Sequence, residues 1–100
     1  MQLSNSQKEA LRRYFSRKPV RRAYIFGSYV RNEADSASDI DILVELDHSR
    51  PIGMAFFTYK EELEQLLQTK VDLVTSEGLS RYIRPYIDRE KVLIYERTAA

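Results

Sequence analysis

Cysteine is absent from the 100-residue sequence, which excludes a disulfide scaffold, a thiol nucleophile and any thiolate metal site. Glycine and proline number three each, too few for collagen-like or low-complexity architecture. No uninterrupted apolar run exceeds four residues, Met54-Ala55-Phe56-Phe57 being one of them. A membrane span needs about 18, so no membrane association is expected. The N-terminus lacks the apolar core of a secretory signal, and the expected location is the cytoplasm. A dominant charge is missing too: 16 Lys and Arg against 15 Asp and Glu leave a formal +1, so no whole-molecule field points to nucleic acid. At this length one domain spanning residues 1–100 is expected.

The charge is instead segregated along the chain. Lys8, Arg12, Arg13, Arg17, Lys18, Arg21 and Arg22 form a basic stretch, whereas Glu33, Asp35, Asp39, Asp41, Glu45 and Asp47 follow Arg31 in an acidic one. Two binding surfaces of opposite character are the functional reading, and a solvated helix face followed by a loop is the plain reading of the basic half. Arg12 and Arg13 point about 100° apart on a helix, and Arg21 and Arg22 lie beyond Pro19. The basic stretch therefore suits docking of an acidic partner better than nucleic acid, and no strong nucleic-acid binding is expected.

Ser4 with Gln7 reads as a capping box opening a helix with the stripe Ala10, Leu11, Tyr14 and Phe15. Arg22–Phe26 reads as a strand stopped at Gly27, and a second strand runs from about Asp39 to Leu46. Ser49 and Pro51 supply an N-cap and a first-turn proline for a long helix to about Gln68, its apolar side formed by Phe56, Tyr59, Leu63, Leu66 and Leu67. Val71–Thr75 is a third strand, Pro85 starts a further helical turn, and Val92–Tyr95 forms an edge strand. The helix-containing crossover makes the second and third strands parallel and right-handed, while the short link between the first and second favours antiparallel pairing. The expected class is α/β (α+β), a small mixed sheet with helices packed on it.

The chemistry concentrates around the second strand. Asp39 and Asp41 alternate with Ile40 and Ile42, so both carboxylates leave one face while the isoleucines enter the other. Two like charges on one patch repel, and a hard divalent cation such as magnesium, completed by phosphates and water, is the simplest compensation. Two solvated acids at a strand start are the plain alternative. Upstream, Gly27-Ser28 ends a strand where a backbone can approach a phosphate and offer amide and hydroxyl donors. Asp72 interrupts an apolar strand that parallel pairing places beside Asp39 and Asp41. Three acids facing one space suffice for two metal ions. Tyr29, beside the turn, is placed to stack on a base, and His48 reads as a solvated loop residue.

Gly27-Ser28, ten intervening residues, Asp39-Ile40-Asp41 and a later Asp72 on a strand together resemble the signature of the polymerase-beta-type nucleotidyltransferase superfamily, and the short length resembles its minimal (MNT-type) branch. That branch often carries a basic residue and a glycine where Tyr29 and Asn32 stand here. Asn tolerates the left-handed conformation that a glycine would adopt, and Arg31 fits the remaining basic position. The resemblance implies the nucleotidyltransferase fold and transfer of a nucleoside monophosphate, AMP from ATP or another nucleoside triphosphate, to a hydroxyl. It implies Mg2+, two ions with Mn2+ as a substitute, held by Asp39, Asp41 and Asp72, with Asp72 also helping to activate the acceptor. It implies triphosphate binding by Gly27 and Ser28, with Arg31 as the basic residue of the nucleotide site. The implied partner is a small helical HEPN-type toxin modified on a tyrosine; a homo-oligomer is also compatible. The rival reading is an antitoxin-like subunit that neutralises its partner by contact with little catalysis.

Overall fold

The computed structural model describes residues 2–97. Helix α1 (Asn5–Ser16) opens on the expected capping box: Ser4 Oγ accepts the Gln7 N–H at 3.1 Å, and Gln7 Oε1 accepts the Ser4 N–H at 2.9 Å. Two amides that the first helical turn leaves without partners are thereby satisfied. Strand β1 (Val20–Phe26) follows directly on Pro19, two residues earlier than the alternation at Arg22 suggests. Strand β2 (Ile40–Leu46), helix α2 (Phe56–Leu67), strand β3 (Val71–Thr75), helix α3 (Arg84–Glu90) and strand β4 (Val92–Glu96) complete the order.

The four strands form one sheet in the order β3-β2-β1-β4, with β1 antiparallel to β2 and β4, and β2 parallel to β3. This is the mixed sheet expected from the connection lengths. Ile40, Ile42 and Val44 on β2, Ala23 and Ile25 on β1 and Val71 on β3 enter a core closed by Leu11 and Phe15 of α1 and by Leu63 and Leu67 of α2. The opposite face of the two central strands carries the pairs Arg22–Glu45, Tyr24–Leu43 and Phe26–Asp41. Directly paired residues project to the same side, so the sheet separates a dry face from a face that is acidic at one end.

Two expectations need correction. Helix α2 begins at Phe56, after a 3-10 turn over Gly53–Ala55, and not at Ser49. Asp47 Oδ1 accepts both the backbone N–H and the hydroxyl of Ser49, so that serine closes a local turn in place of capping a helix. Leu66 is 43% exposed and contributes nothing to the core. Among the described residues no helix is long and apolar enough to cross a membrane.

Candidate active site

Strand β1 ends at Phe26 and is followed by Gly27, whose φ of +78° lies in the left-handed region. A short 3-10 turn, Gly27–Tyr29, follows, and the chain turns again at Asn32, φ +60°. Asn32 thus adopts the conformation for which its short polar side chain is suited. Gly27 is required for a second reason: a Cβ there would lie 2.0 Å from Asp41 Oδ2. The backbone of the turn and the carboxylate of the neighbouring strand are therefore packed against each other. Among the described residues no acceptor meets the Ser28 hydroxyl or the Ser28 amide, leaving these two donors free to meet an anion.

Parallel register pairs Asp41 of β2 with Asp72 of β3, and Asp39 precedes Asp41 by one strand repeat. The structure thus brings Asp39, Asp41 and Asp72 to the same end of the same face. Burial, then the charges of Asp72 and Asp39, push the Asp41 carboxyl up to about 6, with Arg31 acting in the opposite direction. None of the three carboxylates makes a hydrogen bond or ion pair among the described residues. Nearby acids do find cations: Glu45 and Glu96 take Arg22, and Asp47 takes Arg97. Three unpartnered, mutually repelling oxygen donors suit a hard divalent cation. No three His, Cys, Asp or Glu side chains among the described residues stand ready to hold a metal. Asp39 and Asp72 are exposed, so their rotamers are free to converge on an ion.

Arg31 lies at the same end but is committed elsewhere. Its Nε donates to Glu33 Oε1 at 3.1 Å and its Nη1 to Glu90 Oε2 at 2.9 Å. Tyr29 departs from expectation: it is only 9% exposed and belongs to the main core, so it offers no face to a base. The polarity of the turn residues around Tyr29 conceals that burial. His48 is exposed and bonds Glu77. Glu90 was missed by sequence reasoning, because its partners Gly27 and Arg31 lie 63 and 59 residues away along the chain.

The basic stretch is dispersed. Arg12 pairs with Glu9 and donates to the Ile94 carbonyl, Lys18 lies over the rings of Tyr14 and Tyr59, and Arg22 bridges Glu45 and Glu96. Cations so divided do not form one phosphate-tracking face. Duplex and single-stranded oligonucleotides are accordingly expected to associate only weakly, without a steep dependence of log K on log salt. Fluorescence anisotropy across a salt series checks this; tight binding lost on changing Arg12, Arg13 and Arg17 together to Ala would contradict it.

A family model described as polymerase beta, nucleotidyltransferase matches residues 9–100. The chain is 40% identical over 89 residues to protein adenylyltransferase MntA of Thermococcus cleftensis, covering 89% of this chain and 86% of that one. A solved structure assigned as a minimal nucleotidyltransferase, 33% identical, superposes with a TM-score of 0.75 and covers 87% of this chain and 88% of that one. A toxin–antitoxin crystal structure with AMP-PNP superposes with a TM-score of 0.76 at 20% identity, covering 91% of this chain and 74% of that chain, and shares the fold.

Proposed function

The chain belongs to the polymerase beta nucleotidyltransferase family, and from that premise we propose that it transfers AMP from ATP, in a magnesium-dependent reaction, to the hydroxyl of a partner protein. The observation that carries this reading is the packing of the Gly27 turn against Asp41, itself paired in register with Asp72. A phosphate-grade donor group and a cluster of carboxylates share one end of the sheet. Neither has a structural purpose that would explain the like-charge repulsion.

Asp39, Asp41 and Asp72 would hold the magnesium, which when bound neutralises triphosphate charge and acidifies the acceptor hydroxyl. The Ser28 hydroxyl and the Ser28 amide would bind the terminal phosphates and orient the α-phosphorus. Asp72, exposed at the edge strand, would receive the proton of the acceptor hydroxyl as its oxygen forms the new bond to phosphorus and pyrophosphate departs. Arg31 reduces the negative charge around Asp41. The partner we favour is a small helical HEPN-type toxin bearing an acceptor tyrosine. Support comes from the adenylyltransferase relative and from the shared fold of the toxin–antitoxin structure. Tyr82, Ile83 and Tyr86 are each more than half exposed, an apolar surface that a contact-only antitoxin would equally use.

Nucleotide binding tests the metal dependence. Calorimetry with ATP is expected to show binding in excess magnesium and at least about tenfold weaker binding in chelator, because the carboxylates repel an unneutralised triphosphate. Equal affinity in both conditions would contradict the metal-bridged site.

A further inference from the structure

Glu90, the last residue of α3, reaches into the phosphate turn. Its Oε1 accepts the Gly27 N–H at 3.0 Å, and Arg31 Nη1 donates to its Oε1 and Oε2 at 3.1 and 2.9 Å. The carboxylate thus clasps the first backbone donor of the turn together with the Arg31 guanidinium. Its side chain is 24% exposed, and α3 is anchored by Ile87, 5% exposed. The clasp therefore hangs from a packed helix, which places a group more reproducibly than a loop does.

The consequence runs through Gly27. The Gly27 N–H lies in the peptide plane that enters the turn, the Gly27 φ of +78° turns the chain from it into the next plane, which carries the Ser28 amide, and the Gly27 Cα side abuts the Asp41 carboxylate. Holding that amide by a charge-assisted bond keeps the left-handed turn in one orientation. Two bonds from Arg31 Nη1 to the same carboxylate hold the guanidinium at this end of the site. We propose that Glu90 is a positioning residue for nucleotidyl transfer, fixing the Gly27–Ser28 turn and the Arg31 guanidinium in the arrangement that receives the triphosphate. This role rests on the transferase reading above. Glu90 itself contacts no reacting atom in it.

The test is steady-state transfer from ATP per folded protein, with wild type, Glu90→Ala, Glu90→Gln and each combined with Arg31→Ala. Glu90→Ala is expected to lower kcat/KM for ATP about tenfold to a hundredfold, the range for losing hydrogen bonds to a charged group. The KM for the protein acceptor should stay unchanged. Glu90→Gln keeps the shape and an acceptor for Gly27 but drops the charge facing Arg31; about threefold to tenfold loss is expected, also where Glu90→Ala does not fold. Adding Arg31→Ala to Glu90→Gln should cost less than Arg31→Ala alone, since the two act as a unit. Wild-type kcat/KM in Glu90→Gln, with or without a lowered melting temperature, would reduce Glu90 to a structural strut and overturn the proposal. A wild-type protein that transfers nothing would bring down the transferase reading and this role with it. Active wild type with an equally active Glu90→Gln brings down the Glu90 role alone.

Discussion

Asp41→Asn is expected to reduce nucleotidyl transfer by about a thousandfold or more while making the metal-free protein more stable. The first effect follows from losing one anionic ligand and its share of transition-state charge stabilisation, worth several kcal/mol. The second follows from the strain of the wild-type site. Burial and the neighbouring carboxylates raise Asp41 to about 6, above the ordinary aspartate value near 3.9 that applies in the unfolded chain. The folded state therefore binds this proton more tightly than the unfolded state, so the contribution of Asp41 to stability falls as pH rises from about 4 to about 6 and is at its least favourable above that window. Removing the charge should return about 1 kcal/mol at neutral pH, after discounting for solvent screening. In chelator, the difference in melting temperature between variant and wild type should be near zero at pH 4 and fully developed by pH 7. A variant less stable than wild type at pH 7 would show that Asp41 is compensated without a cation.

Gly27→Ala should be the most damaging single substitution in the turn. A methyl group there collides with Asp41 Oδ2 at 2.0 Å, and the φ of +78° disfavours any L side chain. The backbone cost is about 1–2 kcal/mol and forced repacking adds about 1–3, so about 2–5 kcal/mol of destabilisation is expected, with loss of ATP binding. Gly53→Ala is the internal comparison. Its φ is +49° but nothing lies within 4 Å of the added methyl, so only the backbone cost of about 1 kcal/mol should appear. Denaturant melts of the two variants read the difference. Equal destabilisation would mean that the close approach to Asp41 has no energetic weight.

The parts of this site that were legible in the sequence are those set by local periodicity. Alternation of Asp39, Ile40, Asp41 and Ile42 fixes which face the acids leave, and a crossover through α2 makes β2 and β3 parallel, which is how Asp72 arrives beside Asp41. The left-handed Asn32 was readable from its side-chain chemistry. What stayed hidden depends on contacts between segments far apart. Tyr29 stands in a polar turn, yet it joins Ile25 and Ile94 in the core at the end of the central strand β1. The start of α2 is displaced to Phe56 by Asp47, which captures the very serine that would have capped an earlier start. Glu90 resembles any other charged residue at a helix end until β4 pairs with β1 and brings the end of α3 against Gly27.

The central claim, that the Gly27 turn and the Asp39–Asp41–Asp72 cluster carry out nucleotidyl transfer, is tested most directly by incubating the protein with magnesium, a purified HEPN-type partner and ATP labelled at either the α- or the γ-phosphorus. Attack on the α-phosphorus transfers AMP and releases the β- and γ-phosphates as pyrophosphate. The account predicts that α-label appears on a tyrosine of the partner, that γ-label appears only in pyrophosphate, and that both signals vanish in chelator. Transfer of γ-label to protein, or neutralisation of the partner with no label on it, would contradict the account, the latter in favour of an antitoxin acting by contact alone.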